Sequence, residues 1–397
     1  MSDHYDVLIC GGGTAGLTVA AQLLNTENPP SVGIIEPSDK HYYQPLWTLV
    51  GAGVFPKEDS QRDEKDYIPA GADWIKDRVS SFNPDSNSVT LESGKTVSYG
   101  HLVVAMGIQI NWNGIPGLMD VLGKPGTGVC SNYSYETVDS TWNTIRALKS
   151  GRAIFTEPIT GVKCGGAPQK IMYLTEDHLR KQGLRDRCEV IFCNAKAKHF
   201  SCDHYTPTLL NICETRGIDV RPQTELIEIR GGSNEAVFRK HETNEEVVLS
   251  YDMLHVTPPM GPLDLIKDSP LGNDAGWVDV DQHSLRHVRY DNIFALGDCS
   301  SLPTSKTGAA IRKQAPTAVA NILADRAGQP ATAAYDGYTS CPVVTGYGKL
   351  VLAEFDYTKG PCESFPFDQN KERYSMYMLK AYALPRMYWH GMLKGRM

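Results

Sequence analysis

The chain has 397 residues, too long for one small domain, so two or three lobes with substantial cores are expected. A net charge of −7 excludes a dedicated nucleic-acid binder, and no run of about 18 apolar residues is present that would span a bilayer. The ten cysteines form neither a C-x-x-C pair nor a Cys/His spacing suited to zinc. Their default reading is reduced, buried thiols of an intracellular protein. The N-terminus shows no basic segment followed by an apolar one, as a signal peptide would.

Residues 5–10 read as a buried strand, and Gly11-Gly12-Gly13-Thr14-Ala15-Gly16 follows at once. Residues 17–24 carry helical periodicity, and 31–36 form a second apolar strand ending in Glu36. This is a dinucleotide-binding fingerprint in its full context. Gly11 permits the tight turn, Gly13 lets a pyrophosphate approach, and Gly16 lets the helix pack against the strand. The helix N-terminus offers free N–H groups to phosphates, and Glu36 is placed for ribose hydroxyls.

The aromatic, Pro-broken loop 41–46 follows. Residues 73–79 and 88–91 read as strands of a small antiparallel meander, with a hairpin turn at 93–95. Residues 99–107 give a buried strand ending at Gly107. A second βαβ unit begins at Gly151, with a loop over 157–168, a helix from about Gln169 to Lys181 and a strand over 188–194. No glycine fingerprint follows its first strand, and its second ends in Asn194 rather than an acid, so a nicotinamide cofactor is not expected there in the usual way. Residues 253–259 and 290–299 read as further strands, the latter ending in Gly297-Asp298, with a helix from about Ala309 to Ala327. In the tail, basic residues alternate with Tyr, Trp, Met and Leu after Glu372, the composition of an interfacial amphipathic segment. A helix covering the protein's own core is the alternative. Cys164 stands in a Gly-rich loop before a helix and beside Lys163, a context that lowers a thiol pKa.

The Gly11–Gly16 loop with Glu36, the strand ending Ala105-Met106-Gly107, and Ile293 to Asp298 together resemble the flavoprotein disulfide reductase superfamily. Met106 departs from the threonine usual there. Residues 162–174, 253–260, 275–281, 302–307 and 335–368 are similar to the sulfide:quinone oxidoreductase family, mitochondrial-like type.

The resemblance implies an α/β fold of two Rossmann-like dinucleotide-binding domains (the FAD/NAD(P)-binding fold) plus a C-terminal quinone and membrane-contact region. The expected parts are 1–115 and 256–330 for the FAD domain, 116–255 for the second Rossmann-like domain with Cys164, and 331–397 for the C-terminal region with Cys341. It carries the redox pair onto Cys164 and Cys341, bridged as disulfide or trisulfide, and suggests that Cys341 faces the flavin. FAD contacts carry onto Gly11, Gly13, Thr14, Ala15, Gly16, Glu36, Gln44, Val79, Ala105, Gly107, Asp298 and Lys306. Asp298 would reach the ribitol, and Lys306 would stabilise the reduced flavin. Phe355, Phe365 and Phe367 become candidate quinone-stacking residues. Cys130 is a candidate third functional cysteine, as in another branch of the family.

The implied partners are hydrogen sulfide, ubiquinone or menaquinone, a sulfane acceptor (glutathione, sulfite or sulfide) and a membrane surface, with no nucleic acid and no metal; a homodimer is allowed. The implied location is peripheral, on a bacterial inner membrane or, for a processed form, the mitochondrial inner membrane. A type II NADH:quinone dehydrogenase would need the missing second fingerprint. A flavocytochrome sulfide dehydrogenase subunit would be exported. A non-enzymatic flavin redox sensor would have no use for Cys164 and Cys341.

Overall fold

The computed structural model describes residues 3–397. The first βαβ unit forms from β1 (His4–Cys10), α1 (Thr14–Leu24) and β2 (Val32–Ile35). Val7, Leu8, Ile9 and Cys10 are all fully buried, the continuous apolar pattern of a parallel strand covered on both faces. β3 (Ala72–Ile75) pairs parallel to β2, so residues 73–75 belong to the main sheet and not to the meander expected from sequence. The break falls at the polar Lys76-Asp77-Arg78, where the Asp77 carboxylate accepts from the Arg78 amide at 2.7 Å and turns the chain. The meander proper is β4 (Val79–Asn83), β5 (Ser88–Leu91) and the start of β6 (Thr96–Val104). The far end of β6 runs parallel to β1, so one strand serves both structures.

A second parallel sheet follows, built from β7 (Val129–Cys130), β8 (Gly151–Glu157), β9 (Cys188–Asn194), β10 (Asp219–Arg221) and, from beyond a three-stranded antiparallel sheet, β11 (Met253–His255). Its order is β7-β11-β8-β9-β10. Helix α2 (Ala167–Lys181) follows β8 and is buried over most of its length.

The chain then returns to the first sheet. β12 (Ile293–Ala295) pairs parallel to β6, and α3 (Gly308–Arg326) packs on α1. A long hairpin of β13 (Thr339–Gly346) and β14 (Lys349–Phe355) lies against α2. The tail is a helix, Tyr374–Met378, a π-helical turn, Leu379–Ala383, and a helix, Leu384–His390.

The tail covers the protein's own core. Tyr388, Trp389, Met392 and Leu393 are buried. One of its cations also turns inward: buried Lys380 donates to the Pro45 carbonyl at 2.8 Å, while Lys394 donates to the Asp66 carbonyl at 3.0 Å nearer the surface. The wholly interfacial tail read from sequence is therefore corrected, since these apolar side chains find a buried surface nearby. Tyr374, Met378 and Tyr382, four residues apart, remain exposed.

Candidate active site

Gly11, Gly13 and Gly16 each do a different job. A side chain on Gly11 would come within 2.5 Å of the Ala105 carbonyl, and one on Gly16 would run into the Gly11 carbonyl. Gly13 has open space above it, and no side chain caps α1, so its first N–H groups stay available. Glu36 accepts from the Gly12 amide at 2.8 Å and from the Ser38 amide at 2.7 Å, which fixes its carboxylate at the loop.

The loop opens into a cavity of about 590 Å³. Gly11, Gly13, Thr14, Ala15, Glu36, Gln44, Ala105, Gly107, Asp298 and Lys306 all line it. Gly16 lies beneath, against Gly11. Val79 does not line it; it starts β4 and is buried in the core. The tail closes one side through Leu384, Met387, Tyr388 and Met392. The Tyr388 hydroxyl lies 2.8 Å from Thr14 Oγ1 and 2.5 Å from His41 Nε2, and His41 Nδ1 lies 3.0 Å from the Glu64 carboxylate.

Cys164 and Cys341, 177 residues apart, bring their sulfurs to 3.9 Å. Both thiols are free. Cys164 holds φ +54°, a left-handed conformation uncommon for a residue with a side chain. Its amide donates to the Lys306 carbonyl at 2.9 Å, and its carbonyl accepts from the Ala167 amide at 2.8 Å. The strained residue is thus tied at once to the Lys306 loop and to the start of α2. Cys341 comes from β13 and lies against Gly166, where a side chain would collide with its sulfur.

Cys164 lines the cavity, whereas in β13 it is Ser340 and Pro342 that do so. Alternation along the strand turns Cys341 to the other face, toward α2. Of the pair it is therefore Cys164, and not Cys341 as expected, that lines the cavity into which the nucleotide loop opens.

Four lysines line the cavity; Lys163 and Lys306 were expected from the sequence, and Lys170 and Lys380 were not. Lys170 places Nζ 3.1 Å from Cys164 Sγ. The Cys341 thiol beside it, followed by the Lys170 charge, holds Cys164 well below the usual thiol range despite burial. Cys341 is pushed up by its bond to Cys164 and by burial. Burial works against the Lys170 charge, but the two sulfurs outweigh it and hold the ammonium above the usual lysine range. Burial, helped by the Lys170 charge, pushes Lys380 down to about 7. Burial likewise pushes Lys163 down to about 8. The fourth, Lys306, donates to the Asp298 carbonyl at 2.6 Å and the Ser300 carbonyl at 3.2 Å, with its ammonium 3.8 Å over the Trp277 ring. Burial raises Asp298, opposed by Lys306 and Lys163. Lys170, six residues after Cys164, could have been found from helical position; Lys380 enters from the tail and had no local signal.

Among the quinone candidates only Phe365 lines the cavity. Phe367 stacks on it, with centroids 5.2 Å apart. Phe355 is corrected to a core residue: it is fully buried and packs edge-on against Phe200, because alternation in β14 gives the cavity Leu352 and Glu354 instead. Cys130 is likewise corrected. It is fully buried in β7 outside the cavity lining, and burial pushes its thiol up to about 12, the environment of an inert thiol.

The residues fit FAD. Uncapped N–H groups and open glycines receive a pyrophosphate, Glu36 stands at the ribose position, and the same cavity reaches the paired sulfurs. Fold and site define an FAD-dependent oxidoreductase with a dithiol at the cofactor. The model of the family "Pyridine nucleotide-disulphide oxidoreductase" matches residues 5–154. The chain is 51% identical over 393 residues to the mitochondrial sulfide:quinone oxidoreductase of Dictyostelium discoideum, covering 98% of this chain and 86% of the relative. It is 46% identical over 394 residues to the mitochondrial sulfide:quinone oxidoreductase of Mus musculus, covering 99% and 87%. The chain belongs to the sulfide:quinone oxidoreductase family. The crystal structure of the enzyme of that name from Aquifex aeolicus superposes with a TM-score of 0.85 over 99% of this chain and 92% of that one, at 19% identity, a likeness of fold.

Proposed function

We propose that this protein oxidises hydrogen sulfide at Cys164 and Cys341 and delivers the electrons through FAD to a quinone. The observation that carries this reading is the 3.9 Å approach of two sulfurs from distant parts of the chain at the wall of the nucleotide cavity.

Bound FAD supplies a two-electron acceptor that returns its electrons to a quinone. The protein's own residues dictate the direction of sulfur transfer. In the oxidised pair, hydrosulfide attacks one sulfur and expels the other, and the thiol of lower pKa leaves faster. Cys164 is that thiol, since Lys170 and the Cys341 hydrogen bond favour its thiolate. Sulfide therefore attacks Cys341, which keeps the sulfane sulfur, and Cys164 leaves as a thiolate that faces the cavity. Lys170 holds that charge in place. A thiol, sulfite or second sulfide then removes the sulfane sulfur from Cys341, and the two thiols left behind re-form the Cys164–Cys341 bridge as their electron pair passes to the acceptor that bound FAD would supply. Lys306, fixed by two carbonyls and Trp277, sets a cation beside Asp298 in the same cavity.

Phe365, stacked on Phe367, offers an aromatic face for the quinone. Exposed Tyr374, Met378 and Tyr382 give the tail a face for a membrane interface, as a peripheral contact. No described helix is long and apolar enough to cross a membrane. The mitochondrial names of the relatives favour the mitochondrial membrane as the location.

Steady-state reduction of a short-chain quinone tests the reading: sulfide supports turnover and NADH does not. Turnover with NADH alone would replace it with a dehydrogenase.

A further inference from the structure

The quinone half of the reaction needs protons as well as electrons, and one buried acid in the cavity wall has no part in the sulfur chemistry. Glu354 lies on β14 beside Leu352, on the face that lines the cavity, and is 4% exposed. Its carboxylate has no ion-pair partner among the described residues. It accepts instead from neutral donors: the Tyr338 hydroxyl, the Ser364 amide at 2.7 Å, the Ser364 hydroxyl at 3.1 Å and the Gln369 side-chain amide at 2.8 Å. Tyr338 and Ser364 also line the cavity, and Ser364 directly precedes Phe365. Behind Tyr338 stands half-buried Arg312 of α3, whose guanidinium lies 3.5 Å from the Tyr338 hydroxyl.

The other polar groups packed around Glu354 touch its backbone or stand further off. The Tyr205 hydroxyl bridges the Glu354 carbonyl, at 3.2 Å, and Glu363, at 3.3 Å. The Cys362 amide donates to the same carbonyl at 3.0 Å. A buried carboxyl group that faces a cavity and is joined by a hydroxyl to a half-buried arginine is placed to pass a proton between them.

We propose that Glu354 is the proton donor to the quinone and that Tyr338 relays its replacement from solvent. The proposal rests on the reading of the cavity as the quinone-reducing site. The quinone gains two electrons and two protons. The bound cofactor would supply the electron pair and one proton. The second proton leaves Glu354 as its O–H bond breaks and the quinone's second O–H bond forms. The four donors receive the carboxylate left behind. Tyr338 then passes its hydroxyl proton to Glu354 and takes one from water at the Arg312 side, which restores both groups.

The test is reoxidation of dithionite-reduced holoenzyme by two acceptors. Ferricyanide takes electrons without a proton, whereas a short-chain ubiquinone analogue takes both. In Glu354→Gln, ferricyanide reoxidation stays within about twofold of wild type, while quinone reoxidation falls by about a hundredfold, in the range of general acid catalysis. Tyr338→Phe, which keeps the ring and removes the relay, slows the quinone arm alone, and Glu354→Asp recovers part of it. The proposal is overturned if quinone and ferricyanide rates fall together, or if the quinone rate of both variants matches wild type. Should Glu354→Gln lose FAD, Tyr338→Phe decides by the same split. Sulfide bleaching of the wild-type flavin, measured separately, reports on the underlying reading; its failure leaves the dithionite comparison intact.

Discussion

Lys170 Nζ lies 3.1 Å from Cys164 Sγ, across the first turn of the helix that follows the cysteine loop. A buried ammonium in that position stabilises the thiolate over the thiol. Lys170→Met should raise the Cys164 pKa by a unit or more, so that alkylation of Cys164 in the reduced protein slows about tenfold near pH 6.5. The pH profile of iodoacetamide labelling, read at the Cys164 peptide, measures this. An unchanged profile would remove Lys170 from the account.

Gly166 is pinned between the two sulfurs' elements. A methyl group there meets Cys341 Sγ, so Gly166→Ala should force the sulfurs apart. Displacement of reacting groups by about 1 Å can cost about a hundredfold in rate. The expected result is that loss in sulfide-driven flavin reduction with full FAD content, checked by stopped-flow and absorbance.

Lys380 makes stability depend on pH. Its pKa is about 7 in the folded protein, against about 10.4 in an unfolded chain. Between those values the unfolded chain binds more protons, so this group's contribution rises with pH and is lost as pH falls through 7. Lys380→Met removes the penalty. Its stability relative to wild type should be greatest at pH 6–7 and shrink by about 2 kcal/mol toward pH 9. Denaturant melts at the two ends of that range measure the difference; a constant difference would contradict the assignment.

The tail meets the nucleotide loop through the Tyr388 hydroxyl, which contacts both Thr14 and His41. Tyr388→Phe leaves the buried His41 ring and the half-buried Thr14 hydroxyl without that partner, at a cost of about 1–3 kcal/mol. Faster FAD loss on dilution, with an earlier denaturation midpoint, is the expected outcome. Unchanged retention would make the tail a cover without influence on the cofactor.

The nucleotide half of this site was legible in the sequence because its logic is local. Gly11, Gly13, Gly16 and Glu36 lie within one βαβ unit, and their spacing encodes the turn, the phosphate approach and the packing. The paired sulfurs were reached only through resemblance, since no local pattern brings Cys164 to Cys341. Two departures share one cause. The orientation of Cys341 and the burial of Phe355 both depend on which face of a strand meets the cavity, and that face is decided by distant packing. Lys380 was hidden for a related reason: a tail rich in cations and aromatics reads as interfacial until the core that accepts it is known.

Anaerobic stopped-flow with sulfide as the sole reductant tests the central claim most directly. The account predicts that sulfide bleaches the flavin of the wild-type protein, that a short-chain quinone restores it, and that Cys164→Ser and Cys341→Ser each abolish the bleaching while keeping FAD bound. Bleaching that persists in either variant would show that sulfide reaches the flavin without the sulfur pair, and would contradict the account.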